Sequence, residues 1–193
     1  MLFHLDMKRI LFAFLIFGSI NVVKAQIASS VNSTNGIQIG LLGGWVHHEA
    51  KISNRVVLRA ELGFDSGIWG GSFYDEIGFL MTPVITAEPR LYYNLEKRAA
   101  KNKSTEGNSG NFLALKTSYH PDWFVISNMD NVEVISDISI IPTWGIKRNL
   151  SKRLNFETGL GLGYRYIFAK QAGYSANEGD VAMNLHLRFG FKL

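Results

Sequence analysis

The stretch LNFETGLGLGYRYIF, Leu154–Phe168, separates into two faces when every second residue is taken. Leu154, Phe156, Leu160, Leu162, Tyr164, Tyr166 and Phe168, with Thr158 among them, make one face. Asn155, Glu157, Gly159, Gly161, Gly163 and Arg165 make the other. A period of two belongs to the β-strand, whose successive side chains point to opposite sides. This strand therefore has a broad greasy side and a side that carries a carboxylate, a guanidinium and little else.

The same alternation recurs along the chain. In 181–193, Val181, Met183, Leu185, Leu187, Phe189, Phe191 and Leu193 oppose Ala182, Asn184, His186, Arg188, Gly190 and Lys192. Segments 55–65, 83–95, 111–120 and 137–149 behave alike, and 36–48 reads as one further strand with Ile37, Ile39, Leu41 and Trp45 opposite Gln38, Gly40 and Gly44. Most of these seven segments are 10–15 residues long. Strands in ordinary soluble sheets average about 5–6 residues, whereas a tilted strand needs about 9–11 to cross a bilayer. Glycines with charges of both signs suit a narrow lumen, and an apolar face rich in rings suits lipid. The expected fold is all-β: an antiparallel up-and-down transmembrane β-barrel of eight strands, seven of them clear. The expected lumen network is Arg59, Glu61, Glu88, Arg90, Lys116, Glu157, Arg165 and Arg188, with His120 and His186 beside it. The expected aromatic girdle is Trp45, Tyr93, Trp144, Tyr164, Tyr166 and Phe191.

The N-terminus reads as a targeting segment. Lys8 and Arg9 precede an eleven-residue apolar run, 10–20, and Val23 and Ala25 sit where signal peptidase requires small residues. The run is short for a membrane span, so 1–25 is expected to be a cleaved signal peptide and 26–193 the barrel domain. Cysteine is absent, which excludes disulfides, thiolate metal sites and cysteine catalysis. A net charge of +4 without a concentrated basic face argues against nucleic acid as a partner.

Links between strands alternate in length. Basic turns at 47–54 and 147–153 are short, while 66–76, 121–136 and 169–179 are longer. Outer-membrane barrels have short periplasmic turns and long external loops. The long link 96–110 breaks this rule; it reads as a solvated basic excursion, with one or two helical turns at LEKRAAK. Strand parity requires an eighth strand before 36–48, and the weakly patterned 27–34 is the expected place.

These residues resemble the small eight-stranded outer-membrane β-barrel proteins of Gram-negative envelopes. EPRLYYNLEKRAAKNKSTEGNSGNFLAL and NLHLRFGFKL look like a family of such barrels without an assigned activity. The resemblance implies a location in the cell outer membrane, with outer-membrane lipid and lipopolysaccharide as surroundings. It also implies recognition by the barrel-assembly machinery through the C-terminal strand, where Gly190, Phe191 and Leu193 match, with Leu193 in place of the usual terminal phenylalanine.

Sites of chemistry are few. Ser118 and His120 share a predicted face and, with Glu61, Glu88 or Glu157, could build a hydrolase triad. Outer-membrane lipid-A esterases of this size place that dyad towards lipid, whereas here it points inward. His47 and His48 are adjacent on a strand and so face opposite ways, which argues against a shared metal ion. Asp130 with Glu133 or Asp137 has no calcium-loop spacing. The GLGLG of 159–163 lies within a strand and is no nucleotide loop. Trp69, Phe73, Tyr74, Trp123, Phe124 and Tyr174 are expected on the external loops, for lipopolysaccharide or an unknown external ligand. The expected function is structural or surface-interacting, with a plugged lumen and neither catalysis, cofactor nor metal. A membrane-lipid hydrolase and a narrow small-solute channel are the alternatives.

Overall fold

The computed structural model describes residues 30–69 and 77–193. Nine strands run β1 Thr34–Gly40, β2 Gly43–Lys51, β3 Val56–Trp69, β4 Gly78–Tyr92, β5 Asn111–His120, β6 Ile126–Ser127, β7 Asp137–Asn149, β8 Leu154–Ile167 and β9 Glu178–Lys192. Every pairing is antiparallel. Each long strand pairs with the next, and β1 pairs back onto β9, so eight strands close in a ring; the two-residue β6 is an added flap on β4. Helix α1, Leu95–Ala99, lies in the link after β4.

Two corrections concern the first strands. The segment 36–48 is a hairpin, with Leu41 and Leu42 as its turn and Gly40 paired to Gly43. This split supplies the eighth long strand. The expected place, 27–34, lacks strand structure at 30–33, while 27–29, like the signal segment 1–25, lies outside the described residues. A two-residue turn also changes the phase of the alternation. In β1 the even-numbered Gln38 faces in; in β2 the odd-numbered Trp45, His47 and Glu49 do. Trp45, expected in the outer girdle, is consequently buried inside at 5% exposure. Gly43 makes the turn possible. Its φ of +142° is hard for other residues, and an added Cβ would meet the Phe64 carbonyl oxygen at 2.0 Å.

Glycines in β8 answer a different need. A Cβ on Gly161 or Gly163 would stand 2.3 or 2.1 Å from the carbonyl oxygens of Pro142 and Ile140. The β7–β8 pair curls too tightly there for side chains on its inner face, a demand of closing a narrow ring.

The link 93–110 is also corrected. Lys97, Lys101 and Lys103 are exposed, but Leu95, Gly107, Asn108, Ser109 and Gly110 are buried. The link folds back under the ring and closes its lower rim. Leu95 packs there with Val31, Val57, Tyr92 and Phe112. Asn108 ties the link to the chain start: its Oδ1 accepts from Asn32 N at 2.8 Å and its Nδ2 donates to Asn32 O at 2.8 Å. Glu106 accepts from Lys192 Nζ at 2.7 Å, and that ammonium holds the Glu106 carboxyl below its ordinary pKa. The upper rim carries the turn Leu41–Leu42 and the links 121–136 and 168–177. The short Leu41–Leu42 turn departs from the expected rule of long upper links.

Candidate functional site

Three layers fill the ring from bottom to top. The lowest is apolar. Phe112 and Tyr92 pack at a tilt with centroids 5.5 Å apart, and the Arg90 guanidinium covers the Phe112 ring at 4.2 Å.

The middle layer is ionic. Four cations, Arg59, Arg90, Lys147 and Arg188, face four carboxylates, Glu49, Glu61, Glu88 and Glu157, all nearly inaccessible to solvent. Arg90 grips Glu157 with two nitrogens, at 2.9 and 2.8 Å. Its Nη2 also donates to Glu88 at 2.9 Å. Glu49 accepts from Arg59 and Lys147, each at 3.1 Å, from Tyr92 at 3.2 Å and from Asn108 at 2.6 Å. Arg59 also contacts Glu61 and donates to Gln38 at 2.6 Å. An isolated buried charge is costly, so balance and multiple hydrogen bonds are what allow this layer to exist.

The expected network is brought together in part. Arg59, Glu61, Glu88, Arg90, Glu157 and Arg188 belong to it, and His186 Nε2 lies 3.5 Å from Glu157. Arg165 does not: it sits at the upper mouth, its side chain 42% exposed and 4.0 Å from Asp180. Lys116 stands above the ionic layer rather than in it. Glu49, Lys147, Gln38 and Tyr92 are members that sequence reasoning left out. Lys147 and Tyr92 were on polar faces of the alternation and could have been found that way. Gln38 was also on a polar face, whereas Glu49 needed the hairpin split, which sets its phase.

The top layer is a cavity of about 330 Å³ beneath the upper rim, lined by polar and apolar residues alike. Ser118 and His120 both line it, but they do not form a nucleophile–base pair. Ser118 Oγ shares a 2.9 Å hydrogen bond with Thr86 Oγ1. His120 is held between two carboxylates, Nδ1 at 3.1 Å from Asp137 and Nε2 at 3.1 Å from Asp65. Both ring nitrogens are thus engaged, and neither is free to take the serine proton. His47 is buried and His48 exposed, on opposite sides of β2. Among the described residues no three His, Asp or Glu side chains gather as metal ligands.

No family model, curated protein or solved structure matches the chain.

Outside the ring the polarity is reversed. Leu160, Leu162, Met183 and Leu185 are 57–73% exposed. Of the expected girdle, Tyr93, Trp144, Tyr164 and Phe191 lie exposed on this outer face, with Tyr166 partly so. Trp144 Nε1 donates to Tyr93 OH at 2.8 Å. Tyr166 and Phe168 meet edge to face, centroids 5.3 Å apart, near the upper rim. Trp123, Phe124 and Tyr174 are exposed on the upper links. Phe73 and Tyr74, and the side chain of Trp69, lie outside the described residues.

Proposed function

We propose that residues 26–193 are an outer-membrane β-barrel domain, exported through a cleaved signal at 1–25, with a structural or surface-interacting role. The observation that carries this reading is the inverted polarity. Leucines and phenylalanines cover the outside while Arg59, Glu49 and Glu157 are wholly enclosed. In water such a surface invites aggregation; in hydrocarbon it is at home. Where its strands pair, the ring also satisfies the backbone groups that lipid cannot. The apolar and ionic layers below the cavity support a plug over a conduit. The exposed aromatics of the upper links support contact with lipopolysaccharide or an external partner.

Fractionation of cells expressing the full chain tests the proposal, with reconstitution of the purified protein into liposomes. The expected result is outer-membrane recovery, a folded form that migrates differently from the boiled one, and protease resistance after insertion. Recovery of a soluble monomer without detergent would overturn it.

A further inference from the structure

The short hairpin leaves the wall of the ring incomplete. On its β1 side, β9 is paired only from Arg188 to Lys192. Among the described residues, 178–187 of β9 have no strand partner on that flank. At about 3.3 Å per residue this free edge is roughly 30 Å long. Across the gap β2 stops at Gly43, level with Asp65, while β3 continues to Trp69. The tip residues Leu41 and Leu42 form the sill of a notch that opens sideways.

The cavity borders this notch. Its lining includes Ala182, Asn184 and His186 from the inner face of β9 and Val181, Met183 and Leu185 from the outer face. These residues are consecutive along the unpaired stretch of β9, so the cavity runs along that edge. Outside the sill it adjoins an apolar hollow of about 390 Å³ lined by Leu41, Leu42, Leu185 and Leu187. Trp45, His186 and Arg188 border both spaces.

The inner end of this path is cationic. Arg188 lies flat over Trp45, 3.8 Å from the ring centroid. Its Nη1 is taken by Glu61 at 3.0 and 3.1 Å, while Nε has no hydrogen-bond partner and Nη2 makes no hydrogen bond among the described residues. Lys116 lines the cavity beside it, and among the described residues its ammonium has no hydrogen-bond or ion-pair partner. Nearby carboxylates are engaged elsewhere, Asp65 by Trp45 and His120, Glu61 by Arg59 and Arg188, and Glu88 by Arg90 through Oε2, while Glu88 Oε1 has no partner among the described residues. Two adjacent cations with spare donors at the end of a greasy side entrance are complementary to one chemistry, an anionic head on an apolar tail.

We infer that the notch admits a single-chain carboxylate amphiphile of the fatty-acid class from the surrounding bilayer. Its head pairs with Lys116 and Arg188 in the cavity, and its chain leaves over the Leu41–Leu42 sill into the outer hollow. This inference rests on the membrane reading only for the route of supply.

Equilibrium binding to the full chain in a neutral detergent tests it with three probes: oleate, oleyl alcohol and acetate. Oleate is expected to bind saturably at one per chain, and the other two at least ten-fold more weakly. Lys116→Met is expected to weaken oleate at least ten-fold. Among the described residues it removes no ion pair, so the folded protein survives for the measurement. Leu185→Asn, in the tail hollow, is expected to weaken oleate while leaving competition by acetate unchanged. Affinity for oleyl alcohol or for acetate equal to that for oleate, or unaltered oleate binding by Lys116→Met, would each overturn the inference. Liposome insertion, measured separately, reports on the membrane reading alone.

Discussion

Glu157 shows what a single residue contributes inside this ring. It is fully enclosed and holds both Arg90 nitrogens, with Gln38 at 3.4 Å. Glu157→Gln leaves Arg90 without its bidentate partner. Breaking a buried pair from one side costs about 3–5 kcal/mol, and denaturant unfolding of the detergent-solubilised protein is expected to show a loss of that size. Lys116→Met is the contrast. It deletes a cation that has no partner among the described residues, so its unfolding midpoint is expected to stay at or above that of the parent. On the outer face the sign of the argument reverses with the solvent. Leu160, paired between Trp144 and Leu185 at mid-strand, is 57% exposed. Leu160→Arg is expected to lose about 2–4 kcal/mol in bilayers, as for a charge at the midplane of a membrane barrel. If it instead unfolds like the parent in liposomes, the outer face does not sit in hydrocarbon.

At the scale of elements, the hairpin β1–β2 decides more than its length suggests. Its two-residue turn sets the phase that sends Trp45 and Glu49 inward, where Trp45 Nε1 donates to Asp65 at 2.8 Å. A one-residue insertion between Leu41 and Leu42 would offset the hairpin register and expose this set to the outer face, because neighbouring strand positions face opposite ways. Folding yield from urea into detergent micelles is expected to collapse. Gly43→Ala acts on the same turn by strain, and a loss of about 1–3 kcal/mol is expected. The alternation in the sequence read 36–48 as one strand because Leu41 and Leu42 carry none of the usual turn chemistry. The matching bounds of β5 and β7 were legible because turn or charged residues flank their alternating runs. Of the candidate site, the inward charges of β3, β4, β8 and β9 were visible in the same way. The contribution of β2 was not, since phase cannot be read across a turn that is not recognised.

For the whole molecule, the two rims differ in kind. The lower is sealed by the 93–110 link, Asn108 and the Val31–Leu95–Phe112 cluster. The upper carries a cavity, a side notch and exposed aromatics. Protease treatment of intact cells is expected to cut within 121–136 or 168–177 and to spare 93–110. Cleavage confined to 93–110 would invert the orientation. The sequence alone determined that the strands are two-faced, with one face apolar and the other charged, because side-chain alternation is a local property of extended backbone. Tertiary structure alone decided where the hairpin turns, which charges meet and which cation is left over. Those depend on contacts between distant positions, as between Arg188 and Glu61, 127 residues apart, and on how a short hairpin fits against longer neighbours.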